Sequence, residues 1–169
     1  EVEVQRLQAE ARITVAKDLP VAVAGWRTRL SSATQLATQG NLEAANGSAT
    51  KVQVEIDQLI DKTGVPTLPD LGTAKAEAAS VLAQIGKMQN AKAELASART
   101  SIADAKKAIA ERSWLDADGA LERAGAQLTS LAVEPKLLPK DSKLDSQQAE
   151  VVRLRRTIAP SVAQEKKKA

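Results

Sequence analysis

The chain has 169 residues, 43% of them hydrophobic, with two Trp, one Met, no Phe, Tyr, Cys or His, and a net charge of +3. These absences exclude disulfides and thiolate chemistry, and they remove the commonest general base and the commonest metal ligand. Ala, Leu, Lys, Gln and Glu are strong helix formers, so the expected fold is all-α, with thin, Ala-faced helices.

In chain order, the longest apolar run is "LPVAVAGW", Leu19–Trp26, far short of the roughly 18 residues a membrane span needs. The sequence opens at Glu1 without Met and closes on "EKKKA". It is expected to be a processed product or an excised fragment, from which a signal peptide or anchor has room to be missing. Val23, Trp26, Leu30, Ala33 and Ala37 line one face of a first helix. Gly40-Asn41 reads as a stop and restart, a glycine past one helix and an Asn cap on the next. Leu42, Ala45, Ala49, Val52, Ile56 and Leu59 then repeat at 3-4 spacing, the seam of a helix packed coiled-coil fashion.

A loop with two prolines, Thr63–Gly72, leads to a proline-free stretch from Thr73 to Glu111. Its apolar heptad runs with one three-residue slip near Met88, and Gly86 is where it is expected to bend if it bends. Leu95, Ala98, Ile102, Ala105 and Ile109 form its later seam. Ser113 with Asp116 three residues on reads as a capping box. Trp114, Ala117, Leu121, Ala124, Leu128 and Leu131 follow at the 3-4 spacing of the first hairpin. A second two-proline loop, Pro135–Ser142, opens a last helix near Lys143.

The two hairpins match at a displacement of 72. Arg27–Leu59 and Arg99–Leu131 share only about six identities in 33 positions, but they share seam, turn and proline loop. After the loops, Ala76-Glu77 and Ile85 line up with Ala149-Glu150 and Ile158 at 73. Ala49 stands where Leu121 stands, and Val52 where Ala124 stands, as in two related cores filled differently. The sequence thus reads as an internal duplication. The expected architecture is a pair of duplicated antiparallel hairpins, forming either two three-helix units or one up-down bundle. The expected divisions are 1–87, 88–160 and a basic tail at 161–169. Gly47 and Gly119 fall at equivalent helix-interior positions, where close helix approach is expected.

Few residues suggest chemistry. Asp116 and Asp118 suit the positive end of a helix better than a calcium loop, which needs further oxygen ligands and a Glu at its twelfth position. Glu55, Asp57 and Asp61 lack the His of di-iron bundles. A serine nucleophile would have only Lys as base, and no Ser-x-x-Lys stands out. No catalytic residue, metal or cofactor is expected. Trp26 and Trp114 are candidate interface or ligand anchors, with plain packing as the alternative. From Lys136 onward nine residues are basic and four acidic. Arg153, Arg155, Arg156, Lys166, Lys167 and Lys168 are therefore candidates for holding an anion. No stacking aromatics accompany them, so no nucleic acid is expected, and a membrane only through a missing anchor or this basic end.

"ARTSIADAKKAIAERSWLDADGALERAGAQL", Ala98–Leu128, resembles the helical hairpins of the YfdX family, in its "ADAKKAI" run, in Trp114 after the turn, and in Ala117 and "ALERA". "LPVAVAGW…TQGNLEAAN", Leu19–Asn46, is similar to the same hairpin. The chain departs from the family in lacking its usual tyrosines. The resemblance implies a mostly helical, non-enzymatic, stress-associated protein of the bacterial periplasm, and it carries over no catalytic residue. The expected role is a structural or protein-interaction module of a cell envelope, holding a protein partner or a second copy through helix faces. The alternatives are a ligand-binding sensor bundle with an apolar pocket near a Trp, and a basic-tailed binder of nucleic acid or anionic lipid. A cytoplasmic location is the alternative to the envelope.

Overall fold

The computed structural model describes residues 2–63, 69–139 and 142–168. Its elements are α1 (Val2–Thr38), α2 (Leu42–Thr63), α3 (Pro69–Ala110), α4 (Trp114–Val133), a single 3-10 turn (Pro135–Leu137) and α5 (Leu144–Lys166). The protein is all-α, with no strand among the described residues. Gly64–Leu68 of the first proline loop and Lys140-Asp141 of the second lie outside the described residues.

Packing divides the chain into Glu1–Lys87 and Met88–Ala169. The first unit holds α1, α2 and the opening half of α3; the second holds the rest of α3, α4 and α5. Within each unit, sequence neighbours pack antiparallel. Glu55 on α2 takes Arg29 from α1, and Asp57 takes Lys75 of α3 at 2.7 Å. In the second unit Gln127 of α4 donates to Ser97 of α3 at 2.8 Å, and Gln148 of α5 donates to the Leu128 carbonyl at 3.1 Å.

The 3-4 seams are the cores. Val23, Trp26, Leu30, Ala33 and Ala37 are buried on α1, and Leu42, Ala45, Ala49, Val52 and Ile56 on α2. Leu59 is half-buried. Leu95, Ala98, Ile102, Ala105, Ala117, Leu121, Ala124, Leu128 and Leu131 fill the second core, with Ile109 and Trp114 packed half-buried against it. Ala supplies 12 of the 32 buried apolar side chains among the described residues, so the helices meet on methyl groups at more than a third of their buried places. Along α3 the buried stripe takes two three-residue steps in succession, Ile85–Met88–Ala91, at the border of the two units.

Several boundaries differ from the sequence reading. α3 begins at Pro69, four residues before Thr73, because a proline at the first helical position loses no hydrogen bond. The stretch from Thr73 onward then stays one helical element to Ala110. α5 runs through Pro160 to Lys166 and buries Val162. Residues 161–166 are therefore helix and not tail, because Val162 extends the Leu154–Ile158 stripe by one more turn. Pro20 likewise sits inside α1, between buried Leu19 and Val23.

The two tight turns are built alike. At the first, Gly40 N–H bonds the Ala37 carbonyl at 2.9 Å and Asn41 N–H bonds that of Leu36 at 3.0 Å. This is a Schellman end, and Gly40 adopts the left-handed φ of 86° that it requires. At the second, 72 residues on, Arg112 N–H bonds Ile109 at 3.1 Å and Ser113 N–H bonds Ala108 at 2.9 Å. Here a non-glycine residue, Arg112, holds φ 59°. Left-handed backbone costs an L-residue roughly 1–2 kcal/mol, part of which glycine repays through its freer unfolded chain. Arg112→Gly is therefore expected to stabilise by about 0.5–1 kcal/mol, read by thermal denaturation.

The caps differ. Asn41 Oδ1 accepts the Ala44 N–H at 3.4 Å. Ser113 makes no side-chain cap bond; its hydroxyl donates to the Asp116 carboxylate instead. The expected capping box is replaced by a side-chain pair, since a carboxylate competes for the hydroxyl proton at short range.

The expectation of close helix approach at Gly47 and Gly119 does not hold. A methyl group at Gly47 would meet nothing within 4 Å, and one at Gly119 would meet only the Arg123 guanidinium at 3.8 Å. Both glycines then carry only their entropic cost, so Gly47→Ala is expected to raise stability by about 0.5–1 kcal/mol, measurable by urea titration.

Candidate interaction surface

Half of the basic residues that the sequence offered for binding are used in ion pairs, two of them between helices. Asp118 on α4 faces α5 and takes both Arg155 at 3.6 Å and Lys166 at 3.4 Å. Arg153 lies 3.9 Å from Glu150, which also takes Lys106 of α3 at 2.8 Å. Three of the six candidate anion-binding residues thus already face carboxylates. Arg156, Lys167 and Lys168 are exposed and make no ion pair among the described residues.

The carboxylates separate in the same way. Glu55 reaches α1 and Asp57 reaches α3, as their directions on a helix require. No group of three acids among the described residues is placed to hold a metal ion.

Trp26 belongs to the first core, 4% exposed, and its indole N–H donates to Glu55 at 3.0 Å. It is therefore withdrawn from any docking surface. Glu55 also accepts both terminal guanidinium nitrogens of Arg29. Arg29, and less strongly the Trp26 N–H, hold the Glu55 carboxyl below the usual carboxylate range, against partial burial, which raises it. A depressed carboxyl contributes stability above its unfolded pKa and loses it as pH falls through the folded value. Glu55→Gln is thus expected to cost about 0.5–1 kcal/mol near neutral pH, the range of a solvent-accessible ion pair. The difference should vanish as pH drops below the ordinary carboxylate range, a result read from chemical denaturation at stepped pH.

Uncovered apolar surface stands elsewhere. Val21 and Val133 are each 78% exposed, and Val152 57%. Val152 edges a groove of about 600 Å³ between α4 and α5. Gly125 and Ala126 on α4 and Val151 and Val152 on α5 form its apolar walls, with Glu122 and Arg155 at the rim. The groove follows from helical spacing: 122, 125, 126 and 129 share one face of α4, while 148, 151, 152 and 155 share one face of α5. Small residues on the first wall leave the hollow, and a methyl at Gly125 would stand 3.7 Å from Val151 Cγ1. A second hollow of about 350 Å³ lies between α1 and α3 in the first unit, over the Arg27–Glu77 pair, which closes with two bonds of 3.0 Å. Neither hollow is lined by a Trp.

Sequence reasoning did not find the α4–α5 groove. The available signal was the outward-facing Val152 in a polar stretch opposite Gly125-Ala126. No helix among the described residues is long and apolar enough to cross a membrane. A scan of protein-family models and searches of curated proteins and of solved structures return no match to this chain.

Proposed function

We propose that the protein is a non-enzymatic helical interaction module of a bacterial cell envelope, built from two duplicated three-helix units. The observation that carries the reading is the apolar α4–α5 groove with Val152 standing beside it. An exposed valine beside a concave apolar hollow offers a partner's apolar side chain a place to be buried. The matched turns at Gly40 and Arg112 and the seams displaced by 72 support the duplication. The envelope placement rests on the likeness of Ala98–Leu128 to YfdX hairpins.

A photo-crosslinking residue at Val152, compared with one at exposed Thr157, tests the reading in the native host. The expected result is a protein adduct specific to position 152, abolished by Ala126→Glu on the facing wall of the groove with no loss of thermal stability. Equal crosslinking at both positions would sink it. A ligand-binding role is the second reading, because the groove falls within the size range of small-molecule sites. A ligand seated there would raise the melting temperature with little change in Trp emission, since neither Trp lines the groove.

A further inference from the structure

α1 outruns its partner helix. In the antiparallel register that sets Trp26 and Arg29 against Glu55, the end of α2 at Thr63 falls level with residues near Leu19. Leu19 is the first buried residue of α1 among those whose side chains are described. Ahead of it Ile13 is 71% exposed, and Ala9 and Ala16 are exposed on the same face.

The same stretch recurs in α3, covered. At the displacement of 72 that aligns the turns, Ile13 corresponds to Ile85, Ala16 to Met88 and Leu19 to Ala91. Ile85 is 1% exposed and Met88 2%. Both segments carry the double three-residue step, 13–16–19 and 85–88–91. In α3 the residues up to Lys87 serve as the third helix of the first unit, packed with the hairpin α1–α2 that stands ahead of them in the chain. Residues 2–15 of α1 occupy the matching place, and the stripe they carry continues into the buried seam from Leu19 onward.

We propose that the Ile13 face of α1 is a third-helix surface, built to receive an antiparallel hairpin of the α1–α2 kind joined ahead of α1. The inference rests on the duplicated-unit reading and extends it by one unit. The seam of that hairpin must be small and apolar against Ala9, Ile13 and Ala16. It must leave an edge open at Arg6, which stands where Ala78 is fully buried. Arg6 already leans on Glu3 at 3.1 Å and Glu10 at 3.8 Å along α1, so its aliphatic stem is free to lie over the seam while its charge stays wet.

The experiment places a copy of residues 16–72 directly before Glu1, so that Gly72 runs into Glu1 in the register by which it runs into Thr73. Hydrogen exchange of residues 3–15 is then compared with that in the 169-residue chain. The expected result is exchange slower by at least about tenfold, together with helix gained in proportion to the added residues. Ile13→Asp should abolish that protection in the lengthened protein and leave the melting temperature of the 169-residue chain unchanged. Added residues that stay non-helical, unchanged exchange at 3–15, or protection indifferent to Ile13→Asp would each overturn the proposal. So would a concentration-dependent dimer of the 169-residue chain that Ile13→Asp dissolves, which would give the face to a second copy. The crosslinking test at Val152 concerns the other unit, so either idea survives the failure of the other.

Discussion

Trp26→Ala is expected to cost about 3–5 kcal/mol, the range for deleting a buried aromatic ring. The ring is 4% exposed and lies among alanines and single branched side chains. With no other aromatic on the seams of the first unit, nothing nearby has the volume to collapse into the space. The substitution also takes a donor from Glu55, which keeps Arg29. For a unit of this size each kcal/mol moves the melting point by about 4–8 °C, so calorimetry should register a fall of more than about 12 °C. Trp26→Phe separates the two contributions. It keeps most of the ring and should cost about 1 kcal/mol for the lost hydrogen bond plus the smaller volume. A loss below about 1 kcal/mol for Trp26→Ala would mean that the indole is not a core element.

The second large effect is expected at Leu121→Ala, about 2–5 kcal/mol. Leu121 is fully buried on α4, one turn from fully buried Ala124. In the first unit the matching places hold Ala49 and Val52, also fully buried. The two cores therefore solve the same space with the larger side chain at alternate positions. The double variant Leu121→Ala with Ala124→Val copies the first solution, and it should recover part of the loss. Ala49→Leu, the converse change, should instead overpack and cost about 1–3 kcal/mol. Guanidinium denaturation reads all three. Equal costs for the single and double variants at Leu121 would show that the exchange between cores is incidental.

The sequence carried the seams because their information is local. A 3-4 spacing of Leu, Ile and Ala states which face is buried before any partner is known, and both α2 and α4 bury those faces. The Gly40 turn was legible for the same reason, since glycine marks a left-handed residue. The left-handed residue of the second turn was not, because Arg112 bears no such mark and adopts that backbone under the pull of its two flanking hydrogen bonds. The prolines misled at two places: Pro69, read as loop, starts a helix, and Pro160, at the end of the expected second unit, interrupts none. The Trp26–Glu55–Arg29 cluster and the α4–α5 groove depend on antiparallel register between helices. Spacing along one helix does not give that register. The glycines at 47 and 119 look like contact points in a string of letters, and only the empty space around them shows that they are not.

The alanine-lined seams also bear on how the protein meets changing temperature. The heat capacity of unfolding grows with newly exposed apolar area, about 0.45 cal/K/mol per Å². A core whose buried places are more than a third methyl groups exposes little such area per residue. Its increment therefore belongs at the lower end of the usual range, about 12 cal/mol/K per residue. The free-energy curve against temperature is then expected to be flatter than for a core of larger side chains, a difference read by calorimetry. Its stability should therefore change less with temperature than that of a protein of equal length with a core of larger side chains.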